Sequence, residues 1–137
     1  MNNTRFATAI HILTLLASEP DEWLSSEYIA GSINVNPVVI RREIGTLNEA
    51  GLIITKKGKD GGVRLNKSSQ QIFLSDIYNA VKNSEILGRK NKKTNPDCPI
   101  GKQINEKLEN LFEETNAVVS ENLNNRTLAE FFEQFKH

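Results

Sequence analysis

Residues 36–65 read NPVVIRREIGTLNEAGLIITKKGKDGGVRL, and this stretch decides the fold class. Asn36 can cap a helix that starts at Pro37, where the missing amide proton costs little. The apolar side chains that follow recur at steps of four and three, which is the spacing of one helix face: Ile40, Ile44 and Leu47. Gly51 is typical of the residue that follows a helix end. The first half of the stretch therefore predicts a capped helix.

The second half of the same stretch predicts a β-hairpin. Residues 52–55 and 63–65 are short runs rich in Leu, Ile and Val, which favour strands. Between them, residues 56–62 contain three glycines and three lysines, a composition typical of a turn. We therefore expect two antiparallel strands joined by a basic, glycine-rich tip.

Two further helices are predicted before this stretch. In residues 4–17, one apolar face follows helical spacing: Phe6, Ile10, Leu13 and Ala17. Pro20 ends that helix, and residues 22–24 could form a short strand. Ser25 is a plausible cap for a second helix over about residues 26–33.

The remainder of the chain is predicted to be helical apart from one polar loop. A short helix opens at Ser75 and Asp76, and a long one runs from Pro99 to about Leu123. Thr127 and Glu130 form a capping box for a last helix. We divide the chain into a first domain (1–82), a flexible loop (83–98) and a helical dimerisation region (99–137).

This order of elements predicts a winged helix-turn-helix, a mainly α fold with a small β-hairpin, followed by a long C-terminal dimerisation helix. In such a fold the third helix enters the major groove of DNA and the hairpin, or wing, reaches the adjacent backbone. The candidate DNA-binding residues on these elements are Ser26, Asn36, Pro37, Val38, Arg41, Arg42, Lys56, Lys57, Lys59, Gly61, Gly62 and Arg64.

Arginine suits this role because it pairs with guanine edges or phosphates through two hydrogen bonds. The alternative for Arg41 and Arg42 is a plain solvated helix face. For the wing lysines it is protection of a strand edge against aggregation.

Charge supports DNA binding through its distribution rather than its sum. The formal net charge of the 137 residues is zero. Residues 36–67 nevertheless contain seven basic and three acidic side chains, whereas residues 109–137 contain two and six. This asymmetry suits a DNA-reading module joined to a non-binding one. A winged-helix adaptor that binds proteins instead remains the alternative, and the zero net charge is its best support.

Enzymatic and membrane functions find no support in the sequence. Motifs of the P-loop, G-x-S-x-G, H-E-x-x-H and C-x-x-C types are absent from it. We expect no signal peptide or transmembrane span, and a cytoplasmic protein.

Three strings, NPVVIRREIGTLNEAGLI, GKDGGVRL and IFLSDIYNAV, resemble the Rrf2 family of bacterial transcription regulators. The wing pattern G-x-x-GG-x-x-L, here Gly58 to Leu65, is fairly specific to that family. The string CPIGKQI suggests its YwnA-like, single-cysteine branch. The resemblance implies a regulator that binds palindromic operator DNA as a homodimer whose long helix crosses that of its partner. We expect this regulator to act as a repressor.

The spacing of apolar residues in the long helix favours dimerisation independently of the family resemblance. Its apolar stripe is close to a heptad seam and consists of Ile104, Leu108, Leu111 and Val118, widened by Phe112 and Val119. Thr115 and Asn122 fall in the seam and could set its register. The alternative is that the stripe packs on its own domain.

Cys98 is the single cysteine, at the start of the long helix. Members of the resembled family that hold an iron–sulfur cluster use three cysteines here, so we predict no cofactor and no metal. A helix N-terminus and nearby lysines favour oxidation chemistry, so Cys98 is a candidate redox sensor; an inert thiol is the alternative. An effector, small molecule or protein, is not identified by the sequence.

Three other features have structural interpretations. We expect His11 to lie on a helix face and Trp23 to pack in the core between the first two helices. The aromatic cluster of the last helix is predicted to form core or dimer contacts: Phe131, Phe132 and Phe135.

Overall fold

In a computed structural model, the described residues are 4–81, 87 and 89–135, and they form six α-helices and one two-stranded sheet. The helices are α1 (Arg5–Ser18), α2 (Ser26–Ile33), α3 (Pro37–Glu49), α4 (Leu74–Val81), α5 (Pro99–Leu123) and α6 (Leu128–Glu133). The strands are β1 (Ile53–Lys56) and β2 (Gly62–Leu65), and a 3₁₀ turn, Ser69–Gln71, precedes α4. The predicted winged-helix fold class, with its long C-terminal helix, is confirmed.

Side-chain caps fix where three of the helices begin. Ser25 Oγ accepts a hydrogen bond from the Tyr28 amide at 3.1 Å, and Asn36 Oδ1 accepts one from the Val38 amide at 2.9 Å. Thr127 Oγ1 accepts one from the Glu130 amide at 3.1 Å. Each cap satisfies an amide that the first helical turn leaves without a partner, so polar residues just before apolar runs mark the helix starts.

The core centres on α1, whose buried face differs from the predicted one. Ile12, Leu13 and Leu16 are buried against α3 and α4, whereas Phe6, Ile10 and Ala17 are only partly buried. The prediction selected a neighbouring face because α1 is apolar over a wide arc. One side of that arc meets the core and another faces α6.

The wing is a short hairpin with a third, minimal strand. Ile53 pairs with Leu65 and Lys56 with Gly62 in the antiparallel register. The predicted strand at residues 22–24 is reduced to one bridge, in which Leu24 exchanges hydrogen bonds of 3.1 and 2.9 Å with Val63. A Cβ atom on Gly62 would lie 2.5 Å from the Leu24 carbonyl oxygen, so this approach requires glycine.

After α5 the chain returns to the first domain. The Leu128 amide donates to the Ile72 carbonyl and the Leu74 amide to the Arg126 carbonyl, both at 2.8 Å. Leu128 is fully buried in the core, and α6 packs against α1. The division of the chain into three parts stays a prediction, and residues 82–86 and 88 at its loop boundary lie outside the described residues.

A ladder of polar contacts holds α5 against α4. Ser75 Oγ donates to Asn124 Oδ1 and the Tyr78 hydroxyl donates to Asn116 Oδ1, both at 2.9 Å. Burial raises the pKa of the Tyr78 phenol, which therefore stays protonated and available as this donor. These polar contacts attach α5 to its own domain, and Leu123 near its end packs against the core.

Candidate nucleic-acid interface

Helix α3 has one face in the core and one in solvent. Ile40, Ile44 and Leu47 are buried as predicted, and Glu43 is buried beside them. On the opposite side Val38, Arg41 and Arg42 are exposed. The structure therefore exposes two guanidinium groups and the methyl groups of one valine along one face of α3.

Glu43 was not among the predicted site residues, yet it anchors the helix that carries them. Its carboxylate is 1% exposed and accepts hydrogen bonds from Arg5 Nε and Nη2 at 3.0 Å each. Arg5 Nη2 also lies 3.3 Å from Thr46 Oγ1. The pair fixes the rotation of α3 relative to α1, and thereby the direction in which Arg41 and Arg42 project.

Helix α2 lies beside the exposed face of α3. Arg41 Nη2 is 3.7 Å from Glu27 Oε2, and both side chains are more than half exposed. An exposed pair of this kind contributes at most about 1 kcal/mol, so Arg41 can leave Glu27 for a stronger anion. Tyr28, the next residue of α2, is also exposed and is a further candidate contact that the sequence analysis missed. Its place three residues after the Ser25 cap, in the first turn of α2, was the sequence signal that could have identified it.

A cleft of about 290 Å³ separates α2, α3 and the wing. The residues that line it include Ser26, Glu27, Arg41, Lys56, Gly61 and Gly62. The first amides of α2 open at this cleft, and a helix N-terminus attracts anions. Lys56, the helix N-terminus and Arg41, once Arg41 leaves the Glu27 carboxylate that also lines the cleft, could bind a phosphate group of nucleic acid.

The lysines of the wing are exposed, whereas its arginine is held in place. Lys56, Lys57 and Lys59 all lie in solvent at the tip. Arg64 lies over the Trp23 ring, with Cζ 4.6 Å from the ring centroid, and donates to the Asp21 carbonyl oxygen. Arg64, which was predicted to contact DNA, is therefore already engaged by Trp23 and Asp21 within the protein.

The interpretation of Trp23 as a core residue between α1 and α2 is wrong. Trp23 is only partly buried, and its ring receives Arg64 from one strand and Lys56, whose Nζ lies 5.8 Å from the ring centroid, from the other. The ring attracts both cations through its quadrupole. Trp23 thus supports the wing from outside the core.

Along α5, the predicted dimerisation residues remain accessible. Leu111 and Val118 are 51% and 67% exposed, and Ile104, Leu108, Phe112 and Val119 are partly buried. The helix buries none of its residues fully. Phe112 and Val119 lie one turn from Asn116 and so adjoin the contact with α4, whereas Leu111 and Val118 form the exposed edge of the stripe.

Cys98 is exposed and forms the N-cap of α5. Its Sγ atom accepts a hydrogen bond from the Gly101 amide at 3.4 Å. The segment before it is tied to the same helix, since Lys90 pairs with Glu109 and Thr94 Oγ1 donates to the Gly101 carbonyl oxygen at 2.6 Å. Chemistry at Cys98 would therefore act on the start of α5.

With this geometry established, comparison with known proteins identifies the relatives of the chain. Residues 2–134 match the Rrf2 family, described as an iron-dependent transcriptional regulator. YwnA of Bacillus subtilis (strain 168), which carries the name HTH-type transcriptional regulator, is 40% identical over 128 residues, covering 93% of this chain and 94% of YwnA. These relatives are regulators rather than enzymes.

Solved structures with a fold similar to that of this chain are also those of DNA-binding or regulatory proteins. A crystal structure described as that of a DNA-binding protein is 38% identical, with a TM-score of 0.70 over 93% of this chain and 97% of the other. CymR, the global cysteine regulator of B. subtilis, has a TM-score of 0.71 over 99% and 98% of the two chains. At 20% identity, CymR supports the fold alone.

The family description mentions iron, and the donor set of this chain does not fit it. Cys98 is the single cysteine of the sequence. Within residues 4–81, 87 and 89–135, no three His, Cys, Asp or Glu side chains are grouped closely enough to hold a metal ion. An iron–sulfur cluster needs several thiolate ligands, and this chain has one cysteine.

None of the helices described here is long and apolar enough to cross a membrane.

Proposed function

The chain belongs to the Rrf2 family of transcriptional regulators, and from this membership we propose that it is a sequence-specific DNA-binding repressor. In this proposal it acts as a homodimer on palindromic operator DNA in the bacterial cytoplasm. The observation that carries the proposal is the cleft lined by Arg41 and Lys56, with Arg42 exposed on the same helix and Lys57 and Lys59 exposed at the wing tip.

Each part of that surface has a role on DNA. The major groove is about 12 Å wide and admits one helix, here α3. Arg42 and Val38 then meet base edges, the arginine at guanine and the valine at a thymine methyl group. Arg41, Lys56 and the N-terminus of α2 bind backbone phosphates. Lys57 and Lys59 extend the phosphate contacts beyond the groove.

The proposed dimer would use the exposed edge of the α5 stripe, Leu111 and Val118. Two copies that pack Leu111 and Val118 against each other would remove both from water and generate two-fold symmetry. A two-fold dimer presents two α3 helices, so the two half-sites of the operator are inverted and about one helical turn, or a multiple, apart. Occupation of both half-sites would exclude polymerase from an overlapping promoter, which is why we propose repression.

Cys98 supplies a redox response in this proposal. Its thiolate attacks a peroxide oxygen, the O–O bond breaks, and the products are a sulfenic acid and hydroxide. Because Sγ caps the first turn of α5, oxidation changes that cap and the position of the dimerisation helix. The operator affinity of the dimer falls as a result.

The decisive experiment is selection of binding sites from random-sequence duplex DNA by the purified chain, followed by footprinting. We expect one inverted-repeat motif with protection of both half-sites, and affinity that falls steeply with salt. Enrichment of no sequence would overturn the proposal and favour the adaptor alternative. Binding of single half-sites by a monomer would overturn the dimer.

A further inference from the structure

Helix α3 contains a glycine, Gly45, in its interior and on its exposed face. Glycine within a helix is less favourable than alanine, because the backbone of glycine loses more conformational freedom when the helix forms. Gly45 therefore weakens the same helix that carries Arg41 and Arg42.

The described part of the chain contains no contact that requires glycine at position 45. The backbone of Gly45 is helical, whereas Gly51 and Gly58 have the positive φ angles that favour glycine. A Cβ atom on Gly61 or Gly62 would collide with backbone atoms of other residues. A Cβ atom on Gly45 would meet no described atom outside its own helix within 4 Å. The absence of a side chain at this position therefore matters to whatever meets the exposed face of α3.

Gly45 lies in line with the two residues that we propose to read bases. It follows Val38 by seven residues and Arg42 by three, and both spacings place residues on one side of a helix. All three residues are exposed on the side opposite the buried residues of α3. The centre of this side faces the floor of the major groove when α3 enters it, whereas Arg41 lies toward α2 beside Glu27.

We propose that Gly45 is the point of closest approach between α3 and the base edges, and that it sets how deeply the helix enters the major groove. This inference rests on the proposed DNA-binding function and deepens it. Without a side chain at Gly45, the helix backbone packs directly on the edges of the bases. Val38 and Arg42 then reach the bases from the two turns before it.

Depth of insertion bears on specificity because hydrogen bonds depend steeply on distance. A guanidinium that binds guanine through two hydrogen bonds loses both when its donors move beyond about 3.5 Å from the acceptors. A methyl group at position 45 would hold α3 away from the bases and lengthen the contacts of Arg42. Contacts to phosphates by the flexible wing lysines can adjust to such a shift, so they are affected less.

The charges along this side of α3 favour DNA as the molecule that approaches Gly45. Arg42 precedes Gly45 by one turn, and Arg41 and Lys56 line the adjoining cleft. Glu49 is exposed one turn after Gly45, at the end of the helix, and its carboxylate would repel phosphates. The cationic part of α3 therefore ends at Gly45, which is the last position on this side that suits close contact with DNA.

The test compares Gly45→Ala with the wild type as full chains, using the operator duplex selected in vitro. The melting temperature should rise by about 3 °C, because alanine favours the helix and meets no neighbouring side chain. Operator affinity should nevertheless fall at least tenfold, and Gly45→Leu, with its longer side chain, should lose more. Affinity for a random duplex of the same length, which relies on phosphate contacts, should change less than threefold.

Gly31→Ala is the matched control, because Gly31 is also helical, exposed and without neighbours within 4 Å, but lies on α2 outside the cleft. It should gain similar stability and bind the operator as the wild type does. Operator binding by Gly45→Ala at wild-type strength, an equal loss in Gly31→Ala, or an equal loss on the random duplex would overturn the role of Gly45 and leave the proposed function intact. A wild-type chain that selects no sequence would instead overturn the proposed function, and this inference with it.

Discussion

Arg5 and Glu43 join α1 to α3 by an ion pair in which two guanidinium nitrogens contact one carboxylate. Arg5 Nε lies 3.0 Å from Oε2 and Nη2 lies 3.0 Å from Oε1, with Glu43 1% exposed. Glu43 also raises the pKa of the Arg5 guanidinium. The pKa of Arg5 is higher in the folded protein than in the unfolded chain, so the protonated guanidinium stabilises the fold. This stabilisation is lost only when the pH rises into strong alkali. The Arg5 guanidinium therefore stays charged at neutral pH, where the pair holds α3 against α1.

Replacing Arg5 by alanine should destabilise the protein more than a surface change does. The substitution leaves the Glu43 carboxylate buried without its cation, and we expect a cost of about 2 kcal/mol, below the value for a fully buried pair because Arg5 is partly exposed. Denaturant unfolding of Arg5→Ala measures it.

The double variant Arg5→Leu, Glu43→Leu separates stability from orientation. We expect it to recover most of the unfolding free energy, since two apolar side chains replace the pair. Operator affinity should stay below that of the wild type, because α3 loses its fixed rotation. Full recovery of both properties would contradict the bracing role.

Arg41→Ala, Arg42→Ala should abolish specific DNA binding and leave the fold intact. Both side chains are exposed, so the melting temperature should stay within a few degrees of the wild type. Removal of one phosphate contact should reduce the salt slope by about one. Fluorescence anisotropy against salt concentration gives both quantities.

The matched control removes two cations elsewhere, Lys107→Ala and Arg126→Ala, both exposed away from α3 and the wing. We expect its operator affinity to stay within about threefold of the wild type, a difference of less than 1 kcal/mol. Normal binding by the Arg41, Arg42 variant would show that another helix reads the DNA.

Gly61→Ala should disrupt the tip of the wing. Its Cβ atom would lie 2.0 Å from the Lys56 carbonyl oxygen, so the backbone must move. We expect a cost of about 2 kcal/mol, as for other steric overpacking, and a loss of phosphate contacts from Lys57 and Lys59. Thermal unfolding and operator titration measure the two effects.

Gly31→Ala is the matched control for this change. Gly31 lies within α2 with no atom within 4 Å of a built Cβ, so alanine should stabilise the helix by about 1 kcal/mol. A wing variant as stable as Gly31→Ala would show that the tip tolerates a side chain.

Local signals in the sequence predicted most of the fold. The caps at Ser25, Asn36 and Thr127 mark helix starts because side-chain oxygens there bond to amides two or three residues ahead. The glycines around residues 58–62 mark the hairpin because the chain turns tightly there. These interactions join residues that are close in sequence, so the order of residue types is enough to predict them.

Long-range contacts were not predictable in the same way. The Arg5–Glu43 pair joins residues 38 positions apart, and a glutamate on a helix is normally exposed. Trp23 is apolar, which suggested the core, but the cations of the wing provide it with partners on the surface. The exposed face of α3 was predictable from the spacing of its apolar residues. The cleft between α2 and the wing was not, because its lining residues come together only in the folded chain.

Val118→Lys should dissociate the proposed dimer. Val118 is 67% exposed in the single chain, so lysine costs the monomer little, but in a dimer it would place two like charges beside each other in an apolar seam. We expect at least a tenfold weaker dimer by analytical ultracentrifugation. Ala117→Lys, exposed on the side of α5 away from the stripe, adds the same charge and should leave the dimer unchanged. A Val118→Lys variant that dimerises normally would place the interface elsewhere.

Cys98→Ser should remove the redox response and keep the structure. Serine is a preferred N-cap, so it can accept the Gly101 amide in place of Sγ, and the stability of α5 should not fall. Peroxide should weaken operator binding of the wild type at least threefold, with recovery on adding dithiothreitol, and should leave Cys98→Ser unaffected. Equal peroxide sensitivity of the two proteins would assign the response to another residue, because serine has no thiolate that peroxide can oxidise.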